Sequence, residues 1–238
     1  MIGRKTRTIF KSFLILATVL VLSGCSTTEV DLIYDASAVT NPPVGVAPKS
    51  VKILMVNDGR GTDPFWLGAI RGGFGNPLKT LKTKKPVKEV VEKAFAEGLR
   101  SRGLLASSEG KFGMEVIINK LDCSQYVRRE AHVRIFVSLV ELSSSRTVYA
   151  RDINVDNVTG GDNIFDAGIV ADVEDLRKVA NQALKQAVDK VLDDRQFVSA
   201  LTAATLTPSD AKSPTLADCN LADGLCPRIL RPPLSNDS

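Results

Sequence analysis

The sequence predicts an α+β domain: a mainly antiparallel sheet of about four strands with two helices packed on one of its faces. Three observations carry this expectation. Two stretches repeat apolar residues at helical spacing, one long stretch alternates apolar with polar residues, and the elements follow one another as strand, helix, three strands, helix. The domain is expected over residues 30–200. Ahead of it stand a signal peptide (1–24) and a lipid anchor with a short polar spacer (25–29), and after it a disordered, flexible tail (201–238).

The N-terminus opens with Arg4, Lys5, Arg7 and Lys11 and carries no acidic residue before Glu29. An apolar run from Phe13 to Leu22 follows, broken only by Thr18. A basic head and a short apolar run form the layout of a secretory signal. The run is too short for the roughly 20 residues that a mature membrane span requires. It stops at Leu22-Ser23-Gly24-Cys25, which resembles the lipobox of bacterial lipoproteins. The resemblance implies diacylglyceryl attachment to the Cys25 sulfur, cleavage before that residue, and acylation (palmitate or a similar chain) of the new amino group. One short chain holds a protein reversibly, whereas two or more hold it stably. Ser26 stands where an Asp is associated with inner-membrane retention in enterobacteria. By that analogy the expected location is the outer membrane, facing the periplasm, with the periplasmic side of the inner membrane as the lesser alternative.

Processing changes the charge argument. The whole chain has 31 Lys and Arg against 27 Asp and Glu, but residues 1–24 hold four cations and no anion, so the mature balance is 27 − 27 = 0. Net charge then gives no reason to expect nucleic acid or an anionic membrane as a partner. Of the 4 cysteines, Cys25 goes to lipid. Cys219 and Cys226 lie in a polar, Pro-bearing tail, where they could close a small disulfide loop or stay free; a zinc pair would lack a second pair of ligands. Cys123 reads as a small semi-buried residue.

Along the domain, Val30 to Tyr34 reads as a brief extended piece, and Val51 to Val56 as a first strand stopped by Asn57-Asp58-Gly59. Residues 60–85, rich in Gly and Lys with Phe65, Trp66 and Phe74 embedded, read as a long loop or an irregular hairpin. A helix follows: Pro86 suits its first turn, Val87, Val90, Val91, Ala94, Phe95, Gly98 and Leu99 share one face, and Gly103 is placed to end it. Met114 to Leu121 forms a second strand. From Ala131 the chain alternates, with Val133, Ile135, Val137 and Leu139 on one face and His132, Arg134 and Ser138 on the other. Ser143 to Arg146 turns it back into a fourth strand, Thr147 to Val158, completing a hairpin. Val173 to Leu192 forms a long amphipathic helix. The Thr-, Ser-, Pro- and Asp-rich tail beyond about Ala203 has too little apolar surface to order itself.

This organisation, with certain short stretches, resembles the YajG family of outer-membrane lipoproteins. The stretches are Val30-Asp-Leu-Ile-Tyr34, Val56-Asn-Asp-Gly-Arg60, Leu67-Gly68, Gly72-Gly-Phe-Gly75, and the helix carrying Val90, Leu99 and Gly103. The similarity spans roughly residues 30–200 as a match of order and scattered positions, and the Cys-bearing tail lies outside it. It implies a periplasm-facing, membrane-anchored domain and carries over no catalytic residue.

The residues themselves offer little chemistry. The single histidine, His132, has no ligand partner at helix or hairpin spacing, and there is no Gly-x-Ser-x-Gly elbow. The run from Gly72 to Thr80 lacks the Gly before Lys of a phosphate loop, and Pro77 removes a donor such a loop needs. Asp58 and Arg60 beside a Gly-rich loop read first as a turn-stabilising pair. Lys79, Lys82, Lys84, Lys85 and Lys88 form a basic cluster downstream of Phe65, Trp66 and Phe74. As a functional patch, these would touch lipid head groups, lipopolysaccharide, peptidoglycan or an acidic envelope protein. The expectation is a non-enzymatic envelope binding or structural module, with no cofactor and no metal. An auxiliary subunit of a lipid- or lipopolysaccharide-transport machine is the alternative, and a cell-wall enzyme a distant third.

Overall fold

The computed structural model describes residues 26–37, 43–160 and 172–203. The expected signal peptide, Cys25, Cys219, Cys226 and everything beyond Ala203 lie outside the described residues. In chain order the elements are β1 (Ser26–Val30), β2 (Val51–Asp58), β3 (Trp66–Arg71), β4 (Pro77–Thr83), α1 (Val87–Ser101), β5 (Phe112–Gln125), β6 (Arg129–Glu141), β7 (Arg146–Thr159), α2 (Val173–Leu192) and α3 (Arg195–Ala203).

The long meander β5–β6–β7 is the frame. The predicted alternation holds: Val133, Ile135, Val137 and Leu139 are buried, and β6 pairs antiparallel with both neighbours from Arg129 to Glu141. On the other edge of β5 two strands follow one another end to end, both parallel to it. The strand β2 pairs with its first half, and β3 with Cys123 to Gln125. The strand β3 turns back into β4, which takes β1 on its outer side in parallel.

Among the described residues the result is a mixed sheet of seven strands rather than about four antiparallel ones, and three helices rather than two. The α+β class stands, and the strand count and direction are corrected. The missing strands were hidden by their composition. The strand β1, at the sheet's outer edge, reads Ser-Thr-Thr-Glu-Val, and β3–β4 is the irregular hairpin that residues 60–85 offered as one alternative, its buried Leu67, Ile70 and Leu81 standing among Gly68, Lys79, Thr80 and Lys82. Backbone pairing holds β1, and the hairpin adds Leu67, Ile70 and Leu81 to the core without a regular apolar alternation. Residues 26–29 therefore form a strand rather than a spacer.

The helices cover one face. Leu176, Val179, Ala180, Ala183, Leu184, Ala187, Val188, Val191 and Leu192 of α2 are buried, and each fully buried Leu or Val contributes about 1.5–3 kcal/mol relative to exposure. The helix starts on Asp172, whose side chain accepts the Glu174 N–H. Helix α1 ends as its glycine requires. Gly103 has φ +68, its N–H reaches Arg100 O at 2.9 Å, and the Leu104 N–H reaches Leu99 O at 2.8 Å, the two bonds of a Schellman motif. The short α3 buries Phe197 and Leu201, with Phe197 edge-on to Tyr149 at 5.4 Å. Packing thus continues through Ala203, into the stretch expected to begin the tail.

Candidate functional site

Arg60 occupies the place where β2 leaves the edge of β5 and β3 has yet to join it. Its guanidinium is almost fully enclosed, with the side chain 4% exposed. It grips both oxygens of Asp58, with Nε to Oδ1 at 2.8 Å and Nη2 to Oδ2 at 2.9 Å. It also donates to the carbonyls of Trp66 at 2.7 Å and Leu121 at 3.1 Å. The Gly59 N–H adds a bond to Ile118 O. The pair therefore fastens the 59–65 excursion to three strands, and this task uses its polar valences. The Arg60 hydrogen bonds hold the Asp58 carboxyl below the usual carboxylate range, against the opposing effect of burial.

The hairpin separates residues that stand close in sequence. Phe74 is at its tip and Lys79 on the tip side of β4, both exposed. Phe65, Trp66, Lys82, Lys84 and Lys85 are at the other end, where Trp66 is in register with Lys82. Lys82 is ion-paired to Asp63 at 2.6 Å and Lys84 to Asp31 at 2.8 Å. Lys84 and Lys85 border a groove of about 580 Å³ between the segment 31–33 and α1, walled also by Glu89, Val90, Glu92 and Lys93. Lys88 is exposed in the first turn of α1.

A buried polar cluster behind this groove was not evident in the sequence. Val30, Leu32 and Tyr34 alternate into the core, which brings the Tyr34 hydroxyl to Asp189 at 2.6 Å. Arg102, one residue beyond α1 and 3% exposed, donates to Tyr34, Asp189 and Asp193. Lys185 adds a bond to Asp189 at 2.6 Å. Burial alone would raise the Asp189 pKa, but the donors Lys185, Tyr34 and Arg102 outweigh it and the net shift is downward. The cluster locks the stretch 30–34 onto both long helices. The apolar alternation of Val30, Leu32 and Tyr34 was the available signal; the spacing of Arg102 from Asp189 and Asp193, some ninety residues on, gave none.

On the helix-free face of the sheet, His132 Nδ1 lies 2.5 Å from Asp156 Oδ1, and Arg134 grips the same carboxylate with both bonds at 2.8 Å. The arrangement is a cross-strand ion pair between β6 and β7. Cys123 is buried, and desolvation pushes its thiol up to about 12, which disfavours the thiolate. Among the described residues no group of three or more His, Cys, Asp or Glu could hold a metal ion, and no helix is long and apolar enough to cross a membrane.

Comparison with one solved structure supports the fold. The protein XCC0632 from Xanthomonas campestris superposes with a TM-score of 0.54 at 14% identity, over 74% of this chain and 99% of its own. A Caulobacter crescentus protein named as a lipoprotein gives 0.36 at 14% identity, over 48% of this chain and 82% of its own. Lipoprotein GNA1162 from Neisseria meningitidis gives 0.26 at 10% identity, over 58% of this chain and 97% of its own. No curated protein matches the sequence. A family model described as uncharacterized lipoprotein matches residues 50–202, more than half of the chain, and the chain belongs to that family.

Proposed function

We propose that this protein is a non-enzymatic envelope lipoprotein of YajG type. It serves as a binding or structural module on the periplasmic side of the outer membrane, held there by acyl chains on Cys25. The observation that carries the reading is the junction of anchor and fold. Ser26, the residue after Cys25, is already paired with Lys79 in β1, and the chain from there to Tyr34 is locked to the helices. A lipid on Cys25 would hold the whole domain, with no slack, against the membrane. Membership of a lipoprotein family agrees with an envelope location. Labelling cells with a palmitate analogue, followed by mass spectrometry of the N-terminal peptide, should find an acylated Cys25. Density-gradient separation should place the protein with outer-membrane markers, and Cys25→Ser should abolish both results. An unmodified thiol would end the anchoring reading, and turnover of an envelope substrate lost on one side-chain change would end the non-enzymatic one.

The groove bears on the alternative, an auxiliary role in lipid or lipopolysaccharide transport. Its wall mixes Lys84, Lys85 and Lys93 with Asp31, Glu89 and Glu92. Such alternation of sign suits a polypeptide segment better than an anionic lipid. A photocrosslinker at position 85 should therefore capture protein, and capture of lipid instead would favour the transport role.

A further inference from the structure

One row of paired residues crosses six strands at the same level: Ser26 on β1, Lys79 on β4, Ile70 on β3, Gln125 on β5, Arg129 on β6 and Thr159 on β7. At about 4.8 Å per strand the row is about 24 Å wide. Everything beyond it lies at the end of the sheet from which Cys25 would emanate. Two turns project there, between β3 and β4 and between β5 and β6.

These turns carry unusual side chains. Phe74, at the tip of the first, is 101% exposed, and Leu78 beside it 41%. In the second, Tyr126 is 44% and Val127 37% exposed. Single exposed apolar residues occur elsewhere, Val44 for one, and are ordinary on a surface. Leu54, Met55 and Leu142 form a second exposed group toward the opposite end; those at this end stand on two projecting turns next to the start of β1. The exposure of Phe74 is also built in rather than incidental. The turn is closed by Gly75 N–H to Gly72 O at 2.8 Å and Gly72 N–H to Asn76 O at 2.9 Å. Arg71 is bonded to Gly75 O at 3.0 Å, and Gly75 sits at φ +78. The Tyr126 hydroxyl donates to Gly73 O at 2.7 Å, which joins the two turns into one surface. Of the cations there, Arg128 is paired with Glu130 at 3.5 Å and Arg129 with Asp175 at 3.3 Å, which leaves Arg71 and Lys79 as those with no carboxylate partner among the described residues.

Resting on the Cys25 anchoring proposed above, we propose that this end of the sheet docks on the lipid bilayer itself. Phe74 and Val127 enter the headgroup–acyl boundary, and Arg71 and Lys79 meet anionic headgroups. Aromatic and aliphatic tips with basic flanks are the chemistry of interfacial insertion, which reaches about 5–10 Å deep. The covalent lipid would bring this surface to its target without a search.

The test uses the full acylated protein in vesicles of phosphatidylethanolamine and phosphatidylglycerol, in a Trp66→Phe background with one new reporter at a time. Phe74→Trp and Val127→Trp should lose most of their emission to brominated acyl chains and shift to the blue. Leu142→Trp, in the β6–β7 turn at the opposite end of the sheet, should do neither. Replacing phosphatidylglycerol with phosphatidylcholine should weaken the quenching at 74. If vesicle-bound, acylated protein shows equal, water-like emission at all three positions, the docking proposal is overturned while the anchor stands. If mass spectrometry of the same preparation finds Cys25 unmodified, both fall together.

Discussion

Arg60 illustrates how a pair that looks like a ligand site can be fully used by the fold. Its guanidinium satisfies Asp58 and two carbonyls from different strands in a space with almost no water. Removing the side chain leaves the carboxylate with only the backbone N–H of residue 60 and leaves the two carbonyls without this donor, and breaking an enclosed pair in this way costs about 3–5 kcal/mol. Arg60→Met should lower the urea unfolding free energy by that amount, and Arg60→Lys should not restore it, because a point cation cannot grip two oxygens and two carbonyls at once. The same contact sets an acid limit. The Asp58 carboxyl is depressed chiefly by the Arg60 hydrogen bonds. A depressed group contributes stability that is complete above its unfolded pKa, about 3.9, and lost as pH falls through its lower folded value. Stability from urea titrations should be flat between neutrality and about pH 5 and decline below about pH 4, and Asp58→Asn should start lower but decline less.

At the scale of elements, the legible parts were those with periodicity to bury. Helices α1 and α2 and the strands β5 to β7 pack a full apolar face, and their spacing alone located them. The border hairpin gave no such signal, since Leu67, Ile70 and Leu81 are deeply buried among Gly and Lys. Periodicity is also silent about direction, so the parallel pairing of β2 and β3 with β5 could not be read. A single residue governs whether that hairpin joins the sheet. A Cβ on Gly68 would stand 1.9 Å from Cys123 O and 2.9 Å from its Sγ, and the first of these is backbone that cannot rotate away. Gly68→Ala should therefore destabilise by about 3 kcal/mol or more, at or beyond the usual range for overpacking. Hydrogen exchange should show where. Amides of β3 and β4 should lose protection first while β6 and β7 keep theirs. Uniform loss across the sheet would mean the hairpin is not a separable unit.

For the whole molecule, the candidate site was legible in its ingredients and not in its layout. The lysines and aromatics of 60–85 were visible, but a hairpin runs them to opposite ends, Phe74 and Lys79 at one, Trp66, Lys84 and Lys85 at the other. Along β1 the two ends are about 13 Å apart, four residues at strand rise. A domain whose first strand begins next to its anchor would hold the groove at a set height and facing. That predicts a separation of two properties usually lost together. Inserting ten Gly and Ser residues between Cys25 and Ser26 adds a tether of about 17 Å root-mean-square length. The acylated variant should stay in the membrane fraction and unfold at the same urea concentration as the parent, because the Tyr34–Asp189–Arg102 cluster is untouched. Quenching of a Trp at position 74 by brominated lipid should nevertheless fall, and crosslinks formed from position 85 should become fewer and more varied. Unchanged crosslinks and quenching would show that the surface finds its position by its own affinity, without help from the short connection.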